Sequence, residues 1–179
     1  MFSVNNSILV VVDVQGKLFQ VMHEKEFLLK NLLNLIQGVK VLGIPVVLTE
    51  QNPQRMGVTV AQIKELLNEA NAIPKLTFSC CANEGFMDVL KPLNRRQVLL
   101  CGMETHICIY QTALELKVCG YEVEVVSDAV SSRTAENKEV GLEKLKAAGI
   151  GVTSVETALF ELLRTAQGDS FKEILKIIK

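Results

Sequence analysis

The sequence predicts a three-layer α/β/α fold in which helices cover both faces of a Rossmann-like, six-stranded parallel sheet. Short runs of apolar, often β-branched residues alternate with longer segments of helical periodicity. The runs are apolar at nearly every position, as expected for strands that are buried on both faces. No repeat, low-complexity tract or Gly/Ser linker interrupts the 179 residues. Residues 1–179 are therefore expected to form a single domain.

The predicted elements follow one another as alternating strands and helices. The strands are predicted at residues 8–13, 44–50, 73–78, 97–102, 121–128 and 150–155. The helices are predicted at residues 27–42, 58–70, 83–93, 105–119 and 134–149, with two more after residue 155. Gly43 ends the first helix and Pro92 shortens the third. Because crossovers between parallel strands are right-handed, a ligand site is expected at the carboxyl ends of the strands.

Composition and charge disfavour several classes of function. The net charge is −1, with acidic and basic residues mixed along the chain, so neither a nucleic-acid partner nor a membrane surface is expected. No apolar run approaches the roughly 18 residues of a membrane span, and the N-terminus lacks the basic region of a signal peptide. The five cysteines are an odd number and lack the spacing of a disulfide framework. We therefore expect a soluble, cytoplasmic protein of a reducing compartment.

Polar residues lie at the predicted carboxyl ends of three strands. Asp13 ends the first strand, Gln51 follows the second and Lys75 lies in the third. An aspartate at the end of an apolar run is partly desolvated, so its charge needs a partner, and Lys75 is the natural candidate. In the alternative interpretation, Asp13 caps the following helix and Lys75 lies in solvent. The spacing alone is compatible with both.

The stretch LLCGMETHICIYQTALEL, residues 99–116, contains the most informative cysteine. If Gly102 ends the fourth strand and Thr105 is the N-cap of the next helix, Cys108 lies in the first helical turn. There, the free amides and the helix dipole lower the pKa of a thiol, and the same amides can hold an oxyanion. His106 points to a different face of the helix from Cys108, so a Cys-His dyad is not favoured.

The other four cysteines give weaker signals. Cys101 lies inside a predicted strand and is interpreted as a core residue. Cys119 ends a helix, without the free amides of a helix start. Cys80 and Cys81 lie in a predicted loop and lack the spacing of a zinc site; they are interpreted as inert, although one of them could reach the pocket. Iodoacetamide is therefore expected to modify Cys108 before Cys101 and Cys119.

Five motifs occur in the order and spacing of the isochorismatase-like cysteine hydrolases: VVVDVQGKLF, IPVVLTEQNP, IPKLTFSC, CGMETHICIYQTALEL and GYEVEVVSDAVSSR. The resemblance covers essentially the whole chain, and TEQNP and ETHxC resemble the isochorismatase-domain-containing proteins most. It implies a catalytic triad of Asp13, Lys75 and Cys108. In that family the aspartate takes the thiol proton, the cysteine attacks a carbonyl carbon, and water releases the acyl-enzyme.

The resemblance also implies an oxyanion hole made by the backbone amides of Glu104 and Cys108. In the family a cis peptide precedes the first of these amides, which here places it between Met103 and Glu104. We further expect four substrate-binding residues: Gln15, Phe19, Gln51 and Thr105. For Phe19, a role as an ordinary core aromatic is an equally open interpretation.

Departures from the family pattern narrow the predicted reaction. LTEQNP lacks the D-x-H metal stretch of nicotinamidases, so no metal or cofactor is expected. The true isochorismate hydrolases lack the cysteine, so cleavage of isochorismate is not expected either. What remains is a metal-independent cysteine hydrolase of a small amide- or ureide-type compound. The alternative is a catalytically silent or redox-responsive binding protein that retains the triad, because a reactive thiol oxidises readily.

The C-terminal helices predict self-association. ALFELLR and FKEILKIIK carry an apolar stripe wider than one small sheet readily covers. Members of the resembled family also form oligomers. Both points lead us to expect a homo-oligomer, a dimer or larger.

Overall fold

The computed structural model describes all residues, Met1–Lys179. Its strands are β1 (Ser7–Val12), β2 (Val46–Gln51), β3 (Ile73–Lys75), β4 (Gln97–Met103), β5 (Glu122–Ser131) and β6 (Gly151–Thr153). Its helices are α1 (Gly16–Phe19), α2 (Lys25–Val41), α3 (Pro53–Met56), α4 (Ala61–Leu66), α5 (Glu84–Leu90), α6 (Tyr110–Val118), α7 (Ala135–Ala147), α8 (Val155–Leu163) and α9 (Asp169–Ile178). A 3₁₀ turn (Lys91–Leu93) follows α5, and a π-helical turn (Thr105–Ile109) precedes α6.

The strands form one parallel sheet in the order β3-β2-β1-β4-β5-β6. This confirms the predicted fold class. The chain first extends the sheet from β1 through β2 to β3 and then returns to the other side of β1 with β4. The carboxyl ends of β1 and β4 therefore flank the switch point, where open α/β sheets bind ligands.

The sheet is buried on both faces, as its apolar strands require. Successive side chains of β1 alternate between two core clusters, with Leu9 and Val11 in one, and Ile8, Val10 and Val12 in the other. Helices α2, α8 and α9 cover the first cluster, and α5, α6 and α7 cover the second. Each fully buried aliphatic side chain contributes about 1.5–3 kcal/mol relative to exposure. Both helical layers are therefore needed to shield the side chains of β1 from solvent.

Several predicted boundaries are wrong by a few residues, and two short helices were not predicted. The segment before α4 does not continue the helix, because Thr59 bridges to Gln15. Strand β3 has only three residues. Helices α1 and α3 have four residues each, too short for a periodic signal. Phe27 lies on the exposed side of α2 and does not join the core. None of these helices is long and apolar enough to cross a membrane.

Gly102 does not end β4; the strand continues through it to Met103. A register irregularity lies between Leu100 and Gly102, and the φ of Gly102 is +125°. A Cβ atom there would lie 2.2 Å from the carbonyl oxygen of Val12. Glycine is required because β1 and β4 approach so closely where the backbone turns toward the site.

Candidate active site

Asp13, Lys75 and Cys108 meet at the carboxyl edge of the sheet. Asp13 directly follows β1, Lys75 ends β3, and Cys108 lies in the π-helical turn after β4. Their exposed fractions are 2%, 2% and 6%. Residues far apart in sequence thus form one almost dry cluster beside the switch point.

Asp13 is held by two residues on neighbouring strands. Its Oδ2 lies 2.6 Å from Nζ of Lys75, and its Oδ1 accepts a 2.7 Å hydrogen bond from the hydroxyl of Thr49. Its φ of 55° lies in the left-handed region, which aspartate tolerates better than most residues. A buried carboxylate without partners is strongly disfavoured. The alternative interpretation, with Lys75 in solvent, is therefore excluded by the structure.

Lys75 has more acceptors than it has hydrogens to donate. Besides Asp13, its ammonium lies 2.7 Å from Oε1 of Gln51, 3.0 Å from the carbonyl of Thr77 and 3.1 Å from that of Phe78. An ammonium has three N–H donors, so four oxygens leave none free. The head group of Lys75 is therefore held in place by its oxygen partners. Gln51, expected to bind substrate, orients this ammonium in the structure, and its contact with substrate stays a prediction.

The pKa of the Cys108 thiol is raised, which contradicts the lowering predicted from its position. Burial is the main cause and raises the pKa to about 12. The ammonium of Lys75 lowers it, whereas Asp13 raises it through its negative charge and as a hydrogen-bond partner. The prediction failed because the packing of other elements over the turn outweighs the helix start. The resting thiol is protonated, so attack by its sulfur requires a base.

The turn that carries Cys108 begins at Glu104. All peptide bonds are trans, so the expected cis bond between Met103 and Glu104 is absent, and Glu104 has a φ of 59° instead. The backbone N–H of Glu104 donates to no other group of the chain. Gly141 of α7 packs against the turn so closely that a Cβ would lie 2.8 Å from the nitrogen of His106. The turn is thereby fixed with a free amide at its start.

Thr105 does not cap the helix as predicted. Glu104 is at the cap position and makes no side-chain capping bond. Thr105 is fully buried, and its hydroxyl has no hydrogen-bond partner. This unpaired, buried hydroxyl supports the expected role of Thr105 in binding substrate.

His106 and the side chain of Glu104 belong to a separate polar cluster on the β5 side. Nδ1 of His106 lies 3.0 Å from the hydroxyl of Ser132, and Nε2 lies 3.9 Å from Glu104. Arg133 approaches the other Glu104 oxygen at 3.4 Å. His106 therefore has partners other than Cys108, in agreement with the sequence argument against a dyad.

Gln15 and Phe19 have packing roles in this structure, although both were expected to bind substrate. The amide nitrogen of Gln15 donates to the carbonyls of Gln51, at 3.0 Å, and Gly57, at 2.5 Å, and its oxygen accepts from the Gln51 amide at 2.7 Å. This buried side chain braces the end of β2. Phe19 is 7% exposed and lies in the first core cluster. The core interpretation of Phe19 is the one the structure favours.

Cys80 lies beside the site, a possibility that the sequence had left open for both Cys80 and Cys81. It is fully buried, and its Sγ lies 3.8 Å from Oγ1 of Thr49. Burial and then the charge of Asp13 raise its pKa to about 11, with Lys75 opposing them. The loop position had indicated an inert residue. No sequence signal predicts this contact, because it depends on how the segment after β3 folds back.

Cys101 and Cys119 are not hydrogen-bonded to these site residues. Cys101 is buried in β4, where burial raises its pKa, and Cys119 is exposed. No group of three or more His, Cys, Asp or Glu side chains is arranged to hold a metal ion. A groove of about 420 Å³ borders the site at Lys75, with Asn52, Leu76 and Asn83 among its lining residues.

Exposure revises the expected order of cysteine alkylation. With one equivalent of iodoacetamide at neutral pH, Cys119 should react first because it is in solvent, Cys108 later and Cys101 last. The rate at Cys108 should keep rising up to about pH 11, because the thiolate fraction grows until the pH reaches the pKa of about 12. Peptide mass spectrometry of a Cys119→Ser variant measures this profile. A plateau near neutral pH would contradict the raised pKa.

The parallel sheet with a buried carboxylate, ammonium and thiol at its switch point defines a small α/β enzyme. The chain belongs to the isochorismatase family, since residues 7–157 match the model of the isochorismatase domain. It is an isochorismatase-family hydrolase by its relatives, which confirms the resemblance inferred from the motifs.

Two relatives illustrate the similarity. The secreted isochorismatase effector Isc1 of Phytophthora sojae is 38% identical over 179 residues, covering 98% of this chain and 85% of that protein. The isochorismatase domain-containing protein 2 of Danio rerio is 33% identical over 98% of this chain and 88% of its own length. One relative is thus a secreted protein, and a cytoplasmic location for this chain stays a prediction.

Solved structures share the fold over nearly the whole chain. The MAR1 ribonuclease of Caenorhabditis elegans has a TM-score of 0.93 and 32% identity, covering 99% of this chain and 91% of that one. The YcaC gene product of Escherichia coli, described as an octameric hydrolase of unknown specificity, has a TM-score of 0.93 and 22% identity, covering 98% and 89%. At that identity, the second comparison supports the fold alone.

Proposed function

We propose that this protein hydrolyses a C–N bond of a small amide- or ureide-type compound through a thioester on Cys108. The observation that carries the proposal is the buried cluster in which the Asp13 carboxylate is paired at 2.6 Å with Lys75 and lies near enough to the Cys108 thiol to raise its pKa. A base, a nucleophile and a compensating charge are the groups that acyl transfer needs. Membership of a hydrolase family supports the same reaction class.

Acylation begins with transfer of the thiol proton to Asp13. The raised pKa of Cys108 means that no thiolate is present beforehand, so proton transfer accompanies attack of the sulfur on the carbonyl carbon. The carbonyl oxygen becomes an oxyanion that the backbone amides of Glu104 and Cys108 stabilise. The free N–H of Glu104 supports this role. Asp13 then returns its proton to the leaving nitrogen, the C–N bond breaks, and ammonia or an amine departs.

Deacylation repeats these roles with water as the nucleophile. Asp13 takes a proton from water, the hydroxide adds to the thioester carbonyl, and the C–S bond breaks. The sulfur is reprotonated and the acid product leaves. The Lys75 head group stays in place throughout, because its hydrogens are donated to oxygens of Gln51, Thr77 and Phe78. Its contribution is to stabilise whichever of Asp13 and Cys108 carries the negative charge.

A panel of primary amides and ureides, assayed by ammonia release, tests the proposal. We expect turnover of at least one member, abolished in a Cys108→Ala variant. A short RNA belongs in the panel because a relative is called a ribonuclease, and no cleavage is expected of a chain with net charge −1. Labelling of Cys108 without product release would favour the silent or redox-responsive alternative.

Activity should require no metal. This expectation rests on the absence of the D-x-H stretch in LTEQNP. Turnover should persist after exhaustive chelation, measured with the panel substrate before and after dialysis against EDTA. Loss of activity that a divalent cation restores would contradict it, whereas trace zinc without rescue would not.

We further propose that the protein forms a homo-oligomer, although the apolar stripe of the C-terminal helices does not support it. Ile174 of α9 is buried against the chain's own first core cluster, so the C-terminal stripe is largely covered within the subunit. Exposed apolar residues lie elsewhere, among them Val58, Leu76 and Phe78. Light scattering at micromolar concentration should give a multiple of the subunit mass, and a monomer would end the proposal.

A further inference from the structure

We propose that Thr49 is a positioning residue, whose hydroxyl holds the Asp13 carboxylate in the orientation from which it takes protons. The inference rests on the proposed function and deepens it, because it assigns a role to a residue of β2 that lies outside the proposed triad. Thr49 is fully buried and pairs with Val12 in the β1–β2 ladder. It is therefore part of the rigid sheet.

Thr49 contacts Asp13 at two points. Its carbonyl accepts the Asp13 backbone N–H at 3.2 Å, and its hydroxyl donates to Oδ1 of Asp13 at 2.7 Å. The backbone contact holds Asp13 directly after β1 in its left-handed conformation. The side-chain contact holds the carboxylate. Thr49 thereby fixes both parts of the residue relative to the sheet.

The carboxylate needs this second donor. The terminal torsion of an aspartate is broad and has no strong intrinsic preference. Lys75 binds Oδ2 alone, so the carboxylate could rotate about that contact. The Thr49 hydroxyl on Oδ1 defines the plane of the group and leaves its remaining lone pairs in fixed directions.

Cys80 fixes the direction of the Thr49 hydroxyl. A hydroxyl has one hydrogen, which can point to only one acceptor. The Cys80 thiol donates to Thr49 Oγ1 at 3.8 Å, and with a pKa of about 11 it keeps its proton at neutral pH. The backbone N–H of Cys80 is bound in turn to Thr112, one helical turn beyond Cys108. The charged and titratable groups around Asp13 are thus Lys75, Cys80 and Cys108.

The test uses p-nitrophenyl acetate as the probe, on Cys119→Ser protein so that the exposed thiol does not react. After acetylation of Cys108, excess probe is removed and loss of the acetyl group is followed by mass spectrometry. This step needs a base for water but no thiol ionisation. Thr49→Val keeps the shape of the side chain and removes the donor, whereas Thr49→Ser keeps the donor. We expect hydrolysis to slow at least roughly tenfold in Thr49→Val and by less than about threefold in Thr49→Ser.

The outcomes separate this inference from the proposed function. If Asp13→Asn slows deacetylation and Thr49→Val does not, the positioning role is wrong and the role of Asp13 stands. If Asp13→Asn leaves the rate unchanged, Asp13 is not the base and both fail. If Thr49→Val and Thr49→Ser lose activity equally, the residue is merely structural. The inference is supported if Asp13→Asn and Thr49→Val both slow deacetylation and Thr49→Ser keeps most of the wild-type rate.

Discussion

Replacing Cys108 by alanine should abolish turnover of any amide or ureide that the wild type hydrolyses. We expect a loss of more than about a thousandfold, because without the sulfur no thioester forms. The matched control is Cys101→Ala, which removes a similarly buried sulfur from β4, the strand before the Cys108 turn. Each change should lower the free energy of unfolding by about 1 kcal/mol, since both thiols lie in core clusters.

The two alanine variants separate the chemical role of Cys108 from its packing role. Both should lose a similar free energy of unfolding, and only Cys108→Ala should lose turnover. The measurements are ammonia release and urea unfolding on both proteins. Asp13→Asn should also slow turnover, by about a hundredfold or more. That variant leaves the buried ammonium of Lys75 without its carboxylate, so its unfolding midpoint must be measured too. A Cys108→Ala protein with wild-type turnover would contradict the proposed nucleophile.

Replacing Gly102 by alanine should cost more stability than the same change at any other glycine of this chain. The new Cβ would lie 2.2 Å from the Val12 carbonyl oxygen, within the β1–β4 ladder, where neither backbone can move freely. Alanine is also strained at a φ of +125°. We expect a loss of at least about 3 kcal/mol and reduced turnover, because Val12 directly precedes Asp13.

Gly120→Ala is the matched control for Gly102→Ala. Gly120 also has a positive φ, of 84°, but nothing lies within 4 Å of its missing Cβ. Its substitution should therefore report the backbone strain alone, about 1 kcal/mol. Urea denaturation of the two variants measures the difference. Equal losses would show that the β1–β4 approach is not the constraint that the structure indicates.

Much of the fold follows from local patterns in the sequence. The strand β1 is predictable because ILVVV is apolar on both faces and ends in a carboxylate. Alternation of such runs with helical periods fixes a parallel sheet, and the sheet places Asp13 and Lys75 at the same edge. The positions of these residues were therefore predictable, whereas the spacing alone could not decide between their 2.6 Å contact and a Lys75 in solvent.

What could not be predicted depends on contacts between distant segments. Gln15 braces β2 because the segments around Gln51 and Gly57 fold beside it, and Cys80 reaches Thr49 because the segment after β3 turns inward. The pKa of Cys108 was predicted in the wrong direction for the same reason. A helix start is visible in the sequence, whereas burial by other elements is not. Thr49 itself was simply one residue of an apolar strand.

The most direct test of the proposed mechanism is to identify the covalent intermediate. The wild-type protein is mixed with the hydrolysed amide or ureide, quenched in acid during turnover, digested and mapped by mass spectrometry. The mechanism predicts that the peptide containing Cys108, and no other, gains the mass of the acyl group. Rapid turnover with no acyl group on Cys108, or an acyl group on another residue that persists in the Cys108→Ala protein, would contradict it.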